Sequence, residues 1–214
     1  MKTKENHTQK TNSIEQWMID ALISLMTEKP FHQIKVKEIV DRAQLARCTF
    51  YRYYNSKEEL LIRYCQSIIH ELSEKMITAN CKTLAESAYT YFSFWETQKN
   101  FLNLLIKGDV LYFFLQRYDE LMFEMAKEVK PKNATKGCND FSPKIRYHFF
   151  FAMQGLWGMT NRWILHGYKE TPEELVQYLI AYIVETYELE PDCQYYDVHN
   201  QYPYETCYVK PGYE

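Results

Sequence analysis

The stretch from Arg47 to Tyr54, RCTFYRYY, places two arginines, four aromatic rings, a threonine and a cysteine within eight residues. Lys35 and Lys37 lie upstream, and Lys57 follows a polar corner at Asn55 and Ser56. Such cations bind phosphate, arginine pairs bidentately with guanine, hydroxyls reach phosphate or base edges, and rings can lie along sugar. That is the chemistry of duplex recognition rather than of bond making. The chain carries a net charge of −3, unevenly spread: residues 1–65 hold 11 Lys/Arg against 8 Asp/Glu, and the remainder 14 against 20. A basic first third is compatible with nucleic-acid contact, and an acidic body resists non-specific binding.

Other chemistries find little support. The phosphate-loop, zinc-protease, nucleophile-elbow and dinucleotide signatures are absent, and no second catalytic group accompanies His148 or His166, so no catalytic residue and no enzyme activity is expected. The six cysteines (Cys48, Cys65, Cys81, Cys138, Cys193, Cys207) form no C-x-x-C pair, which argues against a metal site or disulfide framework and for reduced thiols. No cofactor is expected. The N-terminus MKTKENHTQKTNS lacks an apolar signal core, and no run of eighteen apolar residues follows; the expectation is a cytoplasmic protein without membrane contact.

The elements that position the basic segment can be read in turn. No glycine precedes Gly108, and six occur in all, whereas strands need frequent turn residues; an all-α fold is expected. Ser13 opens SIEQ, a capping-box pattern, followed by Ile14, Trp17, Met18, Ala21, Leu22 and Leu25 at helical spacing, which predicts a helix over 13–28 with Trp17 in the core. IKVKEIVDRAQL predicts a short second helix with Val36, Ile39, Val40 and Ala43 on one side. A turn at 44–46 leads into the third helix, and Ser56 with Glu59 caps a long fourth helix.

Two short helices joined by a three-residue turn form a helix-turn-helix, whose second helix enters the major groove. At about 100° per residue, Phe50 and Tyr54 fall on the inner side, Cys48, Thr49, Arg52 and Tyr53 on the outer, and Tyr51 at the border. Lys35, Lys37 and Lys57 with its helix N-terminus are placed for phosphate. Taken singly, Arg52 reads as a solvated side chain and Cys48 as small filler; the ordered set of helices and caps carries the functional reading.

EIVDRAQLARCTFYRYYNSKEELL resembles the helix-turn-helix of the TetR/AcrR transcriptional regulators, with their pattern T-[LF]-Y-x-[HY]-[FY] followed by S/N-K-E-x-L. Thr49, Phe50, Tyr51, Tyr53, Tyr54, Ser56, Lys57, Glu58 and Leu60 fit it, and the resemblance covers roughly residues 13–65. It implies that Arg47, Cys48 and Thr49 face bases and that Thr49, Tyr51, Tyr53 and Lys57 hold the backbone. The family often has Gly in the turn and Ser at the start of the recognition helix; Gln44 and Ala46 stand here instead. Strain at a left-handed residue and a missing cap are the expected costs.

The resemblance further implies a homodimer on a palindromic double-stranded DNA operator, released by a small-molecule effector bound in a larger helical domain: a ligand-responsive regulator, read as a repressor. GLWG, RW and TPEEL downstream resemble a branch of the same family and name no ligand. Residues 142–167 and 171–188 read as capped helices, with Thr171, Pro172 and Glu174 starting the second. Their wide apolar surface suggests a two-fold four-helix interface through Phe149, Met153, Leu156, Trp157, Trp163, Leu175, Leu179, Tyr182 and Ile183, or else a broad internal core. Gly155 and Gly158 suggest close helix packing. Tyr89, Phe92, Trp95, Phe101, Tyr112, Phe113, Tyr147 and Phe150 are candidates for an effector pocket, which implies a hydrophobic or aromatic effector. The expected organisation is a flexible N-terminus (1–12), a helix-turn-helix domain (13–62), a helical effector-binding and dimerisation domain (63–190) joined to it by the long helix, and an irregular tyrosine-rich tail (191–214). The competing reading is a helical adaptor of the same fold that regulates through a protein partner.

Overall fold

The computed structural model describes residues 2–115, 117, 118 and 143–187. The loop expected at 131–138 and the tyrosine-rich tail lie outside the described residues. The described elements are α1 (Lys2–Glu28), a 3-10 turn (Phe31–Gln33), α2 (Val36–Arg42), α3 (Arg47–Tyr53), α4 (Lys57–Ala79), α5 (Leu84–Thr97), α6 (Lys99–Lys107), α7 from residue 111, α8 (Pro143–Leu165) and α9 (Pro172–Tyr187). Among the described residues every regular element is helical, as composition predicts.

α1 departs from expectation at its start, because it begins at Lys2 rather than at Ser13. No proline or glycine lies between residues 2 and 12 to stop it, so the capping box at Ser13 is overrun. Trp17 departs as well: the core stripe is filled by Met18, Leu22, Leu25 and Met26, and the indole projects past its edge at 52% exposure. α2 packs on both α1 and α3. Ile39, Val40, Phe50 and Leu60 close this first core, all essentially inaccessible to solvent.

The turn after α2 shows why the missing glycine matters. Leu45 N–H donates to Val40 C=O at 2.8 Å and Gln44 N–H to Asp41 C=O at 3.2 Å, the paired bonds of a Schellman motif. That motif needs a left-handed residue, and Gln44 supplies it at φ 55°. Ala46 then occupies the N-cap of α3 and offers no side-chain acceptor. By contrast, Ser56 accepts from Glu59 N–H at 3.1 Å, and the Glu59 carboxylate accepts from Asn55 N–H at 2.8 Å. At α9 the box is fully reciprocal: the Thr171 hydroxyl accepts from Glu174 N–H at 3.2 Å, and Thr171 N–H donates to the Glu174 carboxylate at 2.8 Å.

α4 passes from the first core into the second, where α5 packs against α4, α6, α8 and α9. The second core is aromatic: Trp95 meets Phe94, Phe114, Trp157, Tyr91 and Tyr118 at ring centroids 5.2 to 6.4 Å apart. Trp163 donates its indole N–H to Glu170 C=O at 2.8 Å, fastening the α8–α9 turn.

Surface carboxylates stabilise the first domain. Hydrogen bonds from Arg42 hold Glu28 below the usual carboxylate value of 4.5; Lys29 and the Lys35 amide do the same for Glu38, and Asn55 for Glu59. Such groups lend stability that is complete above 4.5 and is lost as pH falls through their lowered values. Thermal midpoints should therefore drop as pH falls below about 4.5, and less steeply in Glu59→Gln. Ala46→Ser should restore the cap and add about 1 kcal/mol. Gln44→Gly should relieve part of the roughly 1 to 2 kcal/mol left-handed strain, less the entropy a glycine loses on folding. Urea midpoints check both: each should rise without a change of slope, and a fall in either contradicts this account of the turn.

Candidate nucleic-acid interface

α3 is seven residues long, too short to persist alone. Phe50 and Tyr54 hold it from behind, with rings 5.8 Å apart and at most 4% of either side chain exposed. Burial pushes the Tyr54 phenol up to about 12, so it stays neutral and apolar in character. With that side anchored, Arg47, Cys48, Tyr51 and Arg52 stand exposed, and Thr49 and Tyr53 are half-buried along the same surface. Tyr51, expected at the border, belongs to the outer face at 47% exposure. Its hydroxyl lies 3.3 Å from Arg47 Nη2, and the Arg47 guanidinium sits 5.5 Å from its ring centroid, so the two side chains share one orientation.

Lys35 and Lys37 are exposed at the start of α2. Lys57 is not. Its ammonium donates to the carbonyls of Phe31 at 2.8 Å, His32 at 3.2 Å and Ile34 at 2.7 Å, and lies 4.6 Å from the Phe31 ring centroid. In this DNA-free structure the cation expected on phosphate is held instead by converging carbonyl dipoles at the end of the 3-10 turn. Desolvation lowers its pKa. Sequence spacing located Lys57 at a helix start but carried no sign of the three carbonyls twenty-odd residues upstream.

The expected effector residues do not form one set. Phe92 and Trp95 lie fully inside the aromatic core, Phe101 packs on Tyr64 at 5.0 Å, and Phe113 on Phe31 at 6.3 Å. Phe150 is half-buried, while Tyr89, Tyr112 and Tyr147 are exposed. The interior includes three residues that reading the sequence passed over: Tyr91 and Tyr118, whose hydroxyls lie 2.9 Å apart, and Thr160, 3.5 Å from Tyr91. The Tyr91–Trp95 spacing of four was the available signal.

The expected interface residues also divide. Trp157, Trp163 and Leu175 are buried within the chain, because α8 and α9 press them onto α5 and its neighbours. Met153, Leu156, Leu179 and Ile183 are partly covered, Tyr182 is exposed, and the Phe149 side chain lies outside the described residues. The uncovered row on α8 runs instead through Tyr147, Phe151, Gly155, Gly158 and Leu165, and α9 separately exposes Tyr178 and Tyr182. Phe151 alone is 80% exposed. Nothing approaches within 4 Å of a Cβ built on Gly155 or Gly158, so these glycines do not serve helix packing among the described residues of the chain. Spacing of four and three along 147, 151, 155 and 158 marks the stripe in retrospect.

Among the described residues no group of three or more His, Cys, Asp or Glu could hold a metal ion, and no helix is long and apolar enough to cross a membrane. Cys65 and Cys81 are buried thiols, and burial pushes Cys65 up to about 12.

Comparison with known proteins agrees with this geometry. Residues 18–64 match the family described as bacterial regulatory proteins, tetR family, and residues 82–185 match a transcriptional regulator C-terminal region. A search of curated proteins finds no match. Among solved structures, a transcriptional regulator from Pseudomonas aeruginosa PAO1 aligns at TM-score 0.53 and 15% identity, over 80% of this chain and 89% of that one. The dihydroxyacetone kinase operon activator DhaS aligns at 0.52 and 19%, over 81% and 95%. The TetR family repressor AlkX from Dietzia sp. strain DQ12-45-1b, implicated in biodegradation of n-alkanes, aligns at 0.51 and 14%, over 81% and 94%. Identities this low establish the fold alone. Together with the two family matches and the outward cationic, hydroxylic face of α3, they lead to one conclusion: the chain belongs to the TetR family of DNA-binding transcriptional regulators, which are not enzymes.

Proposed function

We infer that the protein is a cytoplasmic, ligand-responsive repressor that binds a palindromic operator as a homodimer. The observation that carries this reading is α3 itself, held from behind by Phe50 and Tyr54 while Arg47, Cys48, Tyr51 and Arg52 face outward. Arg47, Cys48 and Thr49 read bases, Arg52, Tyr51 and Tyr53 add contacts along the groove, and Lys35 and Lys37 set register on phosphates. The expected domain division follows: a DNA-binding unit through residue 62 and an effector-binding, dimerising unit from 63.

A second copy covers the apolar stripe of α8 and α9. Two aromatic rings and a leucine in one helical row are costly to leave in water, and Gly155 and Gly158 let a partner helix come close. A two-fold axis there sets the two recognition helices for successive major grooves, about 34 Å apart.

Effector control needs a joint between the domains. Phe31 provides one: its ring meets Phe113 of α7, its Cβ lies 3.5 Å from a Cβ built on Gly108, and its carbonyl holds Lys57 at the start of α4. Displacing α7 therefore acts on the base of the helix that follows α3. A ligand that favours the displaced arrangement weakens operator binding by its differential affinity for the two states.

Selection of bound sequences from random duplex DNA should return a palindrome. Its affinity should fall steeply with salt; Lys37→Ala, which removes one cation per protomer, should reduce the log–log slope by about 2. Tyr51→Ala should weaken operator binding roughly tenfold or more, given about 1.5 to 3 kcal/mol for a hydrogen bond to a charged group, with the thermal midpoint unchanged. Lys57→Ala should instead lower the midpoint, since three carbonyls lose their donor. Phe151→Lys should sediment as a monomer with full helicity and poor operator affinity. A wild-type monomer at micromolar concentration, or selection that returns no preferred sequence, would sink the reading.

A further inference from the structure

The peptide unit that joins Ile34 to Lys35 is held at both of its polar ends. Its carbonyl oxygen accepts from the Lys57 ammonium at 2.7 Å, and its N–H donates to the Glu38 carboxylate at 2.9 Å. A cation on the oxygen and an anion on the hydrogen act on opposite ends of one amide dipole, so they fix the plane of this peptide more firmly than neutral partners could. The other Glu38 oxygen pairs with Lys29, and Lys57 donates to two more carbonyls, of Phe31 at 2.8 Å and His32 at 3.2 Å. The clamp thus runs from the residue that follows α1, through the first turn of α2, to the first turn of α4.

Lys35 is the N-cap of α2, and its carbonyl accepts the first bond of that helix from Glu38 N–H at 2.9 Å. The plane of the peptide before it therefore sets the direction in which α2 leaves the 3-10 turn. Lys35 and Lys37, the two exposed cations assigned to phosphates, stand at that entrance. Lys57 is half-buried, and among the described residues no carboxylate pairs with it. An ammonium has three donors, and here three carbonyls take them. None is left for a phosphate unless a bond that shapes the turn is broken.

We propose that Lys57 is a positioning residue of the DNA-binding surface: it acts on operator phosphates through Lys35 and Lys37, by fixing the 34–35 peptide from its oxygen side while Glu38 fixes it from its nitrogen side. This assignment rests on the reading of Lys35 and Lys37 as phosphate ligands and adds two residues that touch no phosphate. It gives Glu38 an uncommon sign. Removing an anion from a DNA-binding surface ordinarily strengthens binding by lowering repulsion, whereas removing this one weakens it. It also separates arginine from lysine at position 57, because a guanidinium keeps the charge but presents a planar fork that does not converge on three carbonyls as an ammonium does.

A double-mutant cycle on the full chain, read as affinity for the selected operator, tests it. Lys57→Met should weaken binding about tenfold in the wild type and less than about twofold where Lys35 and Lys37 are already alanine, because residues that act as one unit do not add. Lys57→Arg should weaken binding as well, and so should Glu38→Met. Additive costs in the cycle, wild-type affinity in Lys57→Arg, or tighter binding by Glu38→Met overturns the proposal. A measurement on the unaltered chain keeps the test independent of how well the variants fold: in proton–nitrogen NMR of the lysine ammonium groups, the Lys57 resonance should hold its position when operator is added, while those of Lys35 and Lys37 move. A Lys57 resonance that shifts and gains coupling to phosphorus shows a direct phosphate contact and overturns it too. The salt dependence of Lys35→Ala and Lys37→Ala is measured separately. If neither lowers the log–log slope, the phosphate reading of those lysines fails and the proposal with it; if they lower it while the cycle is additive, only the positioning role is wrong.

Discussion

A seven-residue helix cannot maintain itself in water, and the DNA-facing chemistry of this protein depends on how α3 is attached. Two rings on its inner side, Phe50 and Tyr54, are removed from solvent in the first core, where α3 packs on α2, and the resulting burial of aromatic surface outweighs what about two turns of hydrogen bonds could contribute. Once that side is held, orientation of the other follows from helical geometry. Arginine, cysteine and tyrosine side chains at positions 47, 48, 51 and 52 point outward because their neighbours at 50 and 54 point in.

The attachment is imperfect where the chain enters α3. Gln44 takes a left-handed conformation that the Schellman bonds demand, and Ala46 offers the first amides no acceptor. At the exit, the Ser56–Glu59 box and Lys57 compensate: one ties the corner to α4, the other ties α4 to the carbonyls of residues 31 to 34. Local fluctuation should therefore concentrate at the N-terminal end of α3, while its C-terminal end stays fixed to the body.

Much of this was legible in the residues themselves. The all-helical class, the caps at Ser56 and Thr171, the inward Phe50 and Tyr54, and the strained glycine-free turn all follow from local rules that act within four residues. What escaped was anything decided by a distant partner. Helical spacing says which residues share a face but not what lies opposite, so it puts Trp17 inside and leaves Trp157, Trp163 and Leu175 open to either a two-fold interface or a broad internal core. The carbonyl partners of Lys57 were hidden for the same reason, since they lie 23 to 26 positions away. The polar cluster of Tyr91, Tyr118 and Thr160 joins three helices and leaves no mark on the spacing of any one of them.

Gly108 ends α6 with so little room that an added methyl group would press on the Leu104 carbonyl at 3.0 Å and on Val110 at 3.3 Å. The backbone there is of ordinary hand, so it is space rather than torsion that excludes larger residues. An alanine at this position would have to shift the Leu104 carbonyl or the Val110 side chain by a few tenths of an ångström, and with them the start of α7. A steric limit at the end of α6 thus falls on a residue that lies far from the outward face of α3 in sequence.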